Sequence, residues 1–167
     1  MTTALLVVDA QNGALDATYA RDAVVANIAD LVARARRGRV PVVWVRHFDA
    51  RMVPGSAAWR IVPELAPRDG EPSVDKEHAD SFDRTTLDAV LSGLGVRRLL
   101  VVGAQTDVCV RATLDGALTR GYDTLLVSDA HTMSEPAAGS AREVVAATNR
   151  SRSPATVTTR DTHFPGT

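Results

Sequence analysis

Apolar runs punctuate the chain at regular intervals. Three are short, continuous and rich in Val and Leu: ALLVVD (4–9), VPVVWVRH (40–47) and RLLVVG (98–103). An unbroken run of that length has no wet face, as expected of a strand buried within a parallel sheet. DTLLVSDA (123–130) repeats the pattern, and ATVTT (155–159) is a weaker fifth strand with β-branched residues. Between the runs the period becomes helical. Val24, Ile28, Leu31 and Ala35 line one face of a helix that stops at Gly38, and Leu87, Val90, Leu91 and Leu94 line a second, closed by Gly95. A third, from Thr106 to Arg120, carries Val110, Thr113, Leu114 and Ala117 before Gly121; a fourth, after Pro136, carries Ala141, Val144, Val145 and Thr148.

Alternating strands and helices imply βαβ units joined by right-handed crossovers. The expected class is α/β: a doubly wound, mostly parallel sheet of five to six strands with helices on both faces, a three-layer α/β/α arrangement. Residues 48–83 stand apart, being rich in Pro, Gly and charge and too long for an ordinary connection; such a segment is expected to be functional and to wall a pocket.

Composition narrows the picture. With 167 residues the chain reads as one domain, 1–167, long enough to bury roughly two thirds of its unfolded surface without a staple. Nineteen basic and twenty acidic side chains are interspersed, which leaves no electrostatic footprint for nucleic acid. The densest basic stretch, Arg34, Arg36, Arg37 and Arg39, falls at the expected end of a helix, where cations complement the dipole. The opening MTTALLVVDAQNG has no basic leader and its apolar run is interrupted by an acid, so neither a signal peptide nor a membrane span is expected. A single cysteine, Cys109, excludes an internal disulfide and suits a reducing, cytoplasmic setting.

Ligands of open α/β sheets bind beyond the carboxyl ends of the strands. There the sequence places Asp9 after the first strand, His47 at the end of the second, Cys109 six residues beyond Gly103, and Asp129 with His131 after the fourth. Cys109 sits in the first turn of a helix for which Thr106 or Asp107 is a plausible cap. The dipole and free N–H groups of such a turn favour thiolate and could hold an oxyanion; a small buried hydrophobe is the plainer role for a lone cysteine. Asp9, closing an apolar strand, needs a partner or a task and reads equally as a base or as a cap for the following turn. Lys76 is the only lysine in a chain whose other cations are all arginine, and a compact ammonium suits both catalysis and an ordinary surface position.

At these residues the chain resembles the isochorismatase-like cysteine hydrolases, a family that includes nicotinamidases and N-carbamoyl amidases. ALLVVDAQNG is similar to the family's opening strand, VDKEHADSFDRTTLDAVL to its lysine segment, and GAQTDVCVRATLDGALTRGYDTLLVSDA to its cysteine segment. The resemblance implies Asp9 as base, Lys76 as electrostatic partner and Cys109 as nucleophile in the hydrolysis of a small-molecule amide or related C–N bond. It also implies a cis peptide near Ala104 and Gln105, with backbone N–H groups of Gln105 or Thr106 and of Cys109 serving the oxyanion. Gln11, Trp59, Phe82 and His131 are candidate substrate contacts. The loop RHFDARMVPG lacks the metal-binding order of nicotinamidases, so neither a metal nor a cofactor is expected, and Asp80 replaces a small hydroxyl residue common in the family. A small-molecule substrate and a homo-oligomer, dimer or tetramer, are the expected partners, with no nucleic acid or membrane. The alternatives are a non-catalytic binding member of the same fold and, more remotely, a thiol redox protein, although no second cysteine is present to resolve a disulfide.

Overall fold

A computed structural model of the chain describes residues 2–164. Six strands form one parallel sheet: β1 (Thr2–Val8), β2 (Val42–His47), β3 (Ser73–Lys76), β4 (Val96–Ala104), β5 (Asp123–Thr132) and β6 (Thr156–Val157). Their order is β3-β2-β1-β4-β5-β6, so the chain winds outward from β1 in one direction, then returns to the centre and winds outward in the other. The helices are α1 (Asn12–Leu15), α2 (Arg21–Arg37), α3 (Leu87–Gly93), α4 (Arg111–Thr119) and α5 (Ala141–Arg152), with a single π-helical turn, Thr106–Val110, running into α4. None of the described helices is long and apolar enough to cross a membrane.

The alternation of side chains along β1 divides the core. Leu5 and Val7 point into a cluster with Val24, Ile28, Leu31 and Ala35 of α2, together with Trp44, Val102 and Phe164. Ala4, Leu6 and Val8 point the other way, joining Leu87 and Leu91 of α3, Leu114 and Ala117 of α4, Phe82, Tyr122 and Cys109. The doubly wound, three-layer expectation therefore holds, and the stripe of α2 is buried as its periodicity predicts; Leu94 of the second stripe falls beyond α3 and is exposed, and of the fourth only Ala141 is buried.

The departures are local. β3 lies inside 48–83, where only a long loop was expected, because SVDK is a four-residue edge strand whose polar alternation carries no apolar run. β5 continues past Asp129 to Thr132, with a register irregularity between Val101 and Gly103 that lets His131 pair beside Gly103. Asp129 leaves the strand-end cluster altogether: its Oδ1 accepts from both N–H and hydroxyl of Thr159, each at 2.8 Å. The arginine cluster also does more than complement a dipole. Arg34 donates to the carbonyls of Thr159 and Thr162, and Arg36 forms a two-pronged pair with Glu71, whose Oε2 also accepts from Trp44 Nε1 at 2.8 Å.

Candidate active site

β1, β3 and the π-helical turn deliver the three candidate groups to one point. Val8 is the last residue of β1, and Asp9 follows with φ +51°, a left-handed conformation that Asp tolerates better than most residues. Lys76 closes β3 directly across from His47, its register partner in β2. Cys109 lies in the turn after β4. Gly103 makes that approach possible: at φ +120°, an added Cβ would lie 1.9 Å from the carbonyl oxygen of Val8. The next peptide, Ala104–Gln105, is cis.

The trio is closely connected. Lys76 Nζ lies 3.0 Å from Asp9 Oδ2 and donates to Cys109 Sγ at 3.2 Å and to the carbonyl of His78 at 3.0 Å. Asp9 is 3% exposed, Lys76 1% and Cys109 9%. Asp9 Oδ1 is buried with no hydrogen-bond partner among the described residues, and the neighbouring Cys109 thiol is a weak donor whose proximity acts on the Asp9 carboxyl. One carboxylate oxygen is thus anchored and the other left free to accept a proton.

Burial sets the electrostatics. It raises the pKa of Asp9 against the opposing effect of Lys76, making the carboxylate a stronger base than an exposed one. Cys109 is pushed up to about 11, first by burial and then by the Asp9 charge, with Lys76 pulling it down. Desolvation and the adjacent anion act on the thiol in the direction opposite to the depression expected from a helix terminus. Burial thus favours the neutral form of the thiol and of the adjacent carboxyl alike.

Neither Thr106 nor Asp107 caps the turn. Gln105 occupies the cap position without a side-chain bond, and the Val110 N–H reaches its carbonyl five residues back, the π-helical spacing. The side chain of Gln105 instead ties Ala14 to Ser134, and the Thr106 hydroxyl pairs with His131 Nδ1 at 2.9 Å. His131 Nε2 meets Asn149 Oδ1 at 2.9 Å, so both ring nitrogens are occupied, and burial lowers the imidazole's pKa. His131 supports the turn from behind.

The other suggested substrate contacts are likewise engaged. Gln11 is fully buried; its amide donates to the carbonyls of His47 and Trp59 and accepts from the His47 N–H, all at 2.8 Å. This clasp fastens the ends of β1 and β2 to the long segment, a role that side-chain type alone does not reveal. Phe82 stacks on Tyr122 in the core, with Arg120 4.8 Å above its ring. Trp59 remains partly exposed, and the Arg46 guanidinium lies 3.9 Å over it. Asp80 fits because Gly116 leaves room: a Cβ there would lie 2.4 Å from its Oδ1.

Among the described residues, no group of three or more His, Cys, Asp or Glu side chains is placed to hold a metal ion. A cleft of about 630 Å³ opens between the π-helical turn, α4 and α5, lined by Asp107, Arg111, Asp115, Val144 and Thr148 among others, but not by the trio.

The isochorismatase domain family matches residues 3–162. The chain belongs to this family. It is 35% identical to streptothricin hydrolase of Streptomyces noursei over 89% of this chain and 62% of that protein. It is 30% identical to ureidoacrylate amidohydrolase of Methylorubrum extorquens over 82% of this chain and 72% of that one. Among solved family structures, a cysteine hydrolase from Pseudomonas syringae superposes with a TM-score of 0.86 at 26% identity, covering 95% of this chain and 89% of that one. The chain spans less than two thirds of the length of the Streptomyces protein, and 57% of another curated relative.

Proposed function

We propose that the protein is a cysteine-dependent hydrolase acting on a small-molecule amide or related C–N bond through a thioester. The observation that carries this reading is the buried Asp9–Lys76–Cys109 cluster, in which a neutral thiol adjoins a carboxyl with one free oxygen. A buried ion pair costs several kcal/mol in desolvation, so this cluster is a poor stabilising device and a good catalytic one.

In the proposed reaction, Asp9 takes the thiol proton as sulfur attacks the substrate carbonyl, forming the C–S bond. Lys76 stabilises the developing thiolate character. Backbone N–H groups of the turn, from Gln105 or Thr106 and from Cys109, hold the oxyanion. As the tetrahedral intermediate collapses, the C–N bond breaks and Asp9 returns its proton to the leaving nitrogen. Asp9 then deprotonates water, whose oxygen attacks the thioester; the C–S bond breaks and the proton returns to sulfur.

The amide class draws support from the relative named an amidohydrolase, and the thiol chemistry from the neighbour named a cysteine hydrolase. The lone thiol suits a reducing cytoplasm. Exposed Val108 and Leu118, with half-buried Val144 and Val145 on α5, suit a homo-oligomer. The mixed charge offers no nucleic-acid surface.

The test is release of ammonia or amine from a panel of small amides, carbamoyl compounds and lactams. Cys109→Ala should lower the rate on any active substrate by at least about a thousandfold, the scale expected when a covalent nucleophile is removed. Comparable turnover by that variant would eliminate the thioester route. The high pKa of the buried thiol favours one second reading, a binding member of the fold; it predicts no turnover on the panel and a Cys109 indifferent to changes at Asp9 or Lys76.

A further inference from the structure

The Lys76 ammonium has three protons and four acceptors around it: Asp9 Oδ2 at 3.0 Å, the His78 carbonyl at 3.0 Å, Cys109 Sγ at 3.2 Å and His47 Nδ1 at 3.4 Å. The surplus acceptor is held firmly in place. His47 is the register partner of Lys76, and Gln11 grips the backbone N–H and carbonyl of His47 from one side. Its Nε2 lies 3.5 Å from Asp49 Oδ2. Asp49 is itself fixed by Arg51 and Met52 N–H groups, at 2.7 and 2.8 Å, which hold its carboxyl below the ordinary value and keep it an acceptor. A carboxylate at Nε2 selects the Nε2–H tautomer, leaving the Nδ1 lone pair facing the lysine.

We propose that His47 is a positioning residue that takes over the Lys76 hydrogen bond when Cys109 sulfur is acylated. This rests on the thioester reading. A thiol or thiolate accepts a hydrogen bond, whereas acylated sulfur is a much poorer acceptor. Without a substitute, acylation would leave one ammonium proton unsatisfied in a buried site, and Lys76 would drift from Asp9 just when Asp9 must activate water. With His47 present the proton turns to Nδ1, and the ammonium keeps three partners throughout the cycle.

The role can be read without a known substrate. Methyl methanethiosulfonate caps the single cysteine: the thiolate forms an S–S bond, methanesulfinate leaves, the thiol proton passes to buffer, and the capped sulfur is a poor acceptor. The change in Tm on capping is measured at pH 8 in the wild type, His47→Leu and His47→Asn. Capping should lower Tm by about 2–4 °C more in His47→Leu than in the wild type, the equivalent of one lost hydrogen bond in a chain of this size. His47→Asn, whose Oδ1 can stand in for Nδ1, should return to within about 1 °C of the wild-type change. A general structural role for His47 would lower Tm before and after capping alike, leaving the change on capping untouched.

Equal changes in all three proteins, with labelling rates that still respond to Asp9→Asn and Lys76→Ala, would overturn the His47 assignment alone. A cysteine that labels only in denaturant, whatever stands at 9 and 76, would overturn the thioester reading and the His47 assignment with it.

Discussion

Asp9 and Lys76 act on the Cys109 thiol with opposite signs, since the carboxylate raises its pKa and the ammonium lowers it. Asp9→Asn should therefore speed iodoacetamide alkylation at pH 8, by removing the anion that opposes thiolate, and under the proposed mechanism it should abolish turnover by removing the base. Lys76→Ala should slow alkylation. The measurement is the pseudo-first-order labelling rate across pH 6–11, with the wild-type curve still rising toward about 11. Both substitutions accelerating the reaction would contradict this arrangement of charge. His131 gives a separate pH signature. Burial depresses its folded pKa below the ordinary imidazole value of 6.5, so the unfolded chain takes up this proton first as pH falls. Its contribution to stability is thus complete above pH 6.5 and declines below it, down to the folded pKa. His131→Gln should flatten that part of the urea-midpoint profile.

At the scale of elements, the site depends on how closely β4 approaches β1. The Cβ of Gly103→Ala would overlap the Val8 carbonyl at a φ few L-residues adopt, and it should destabilise the protein by about 3 kcal/mol or more in urea titrations. The same substitution displaces the turn that carries Cys109. Parallel runs of Val and Leu made β1, β2 and β4 legible, and Gly38 and Gly121 marked where helices stop. β3 was not legible. Its pairing comes from a neighbouring strand, and four polar-alternating residues do not announce an edge strand. The π-helical turn was equally hidden, because its extra residue reflects how β4 enters α4 rather than any local propensity.

Across the whole molecule, the C-terminal segment is tied across the sheet by Arg34 and Asp129, which reach Thr159 and Thr162 from α2 and β5. Arg34→Ala should reduce hydrogen-exchange protection over 156–164 and lower Tm, leaving the Cys109 labelling rate within about twofold of wild type, since Arg34 shares no hydrogen-bond partner with Asp9, Lys76 or Cys109.

The sequence by itself determined the α/β class and the doubly wound sheet, and it put Asp9 and the approach to Cys109 at strand ends, because hydrophobic period and strand-end position are local properties of the chain; Lys76, on a strand the pattern did not reveal, joined them only through the resemblance to a family. Tertiary structure alone decided the state of those residues. Whether Cys109 rests as thiol or thiolate depends on burial and on a carboxylate one hundred residues away in sequence, and whether Gln11 or His131 can reach a substrate depends on which backbone groups already occupy them. Desolvation and hydrogen-bond competition arise only between segments that folding brings into contact, so no reading of residue types along the chain contains them.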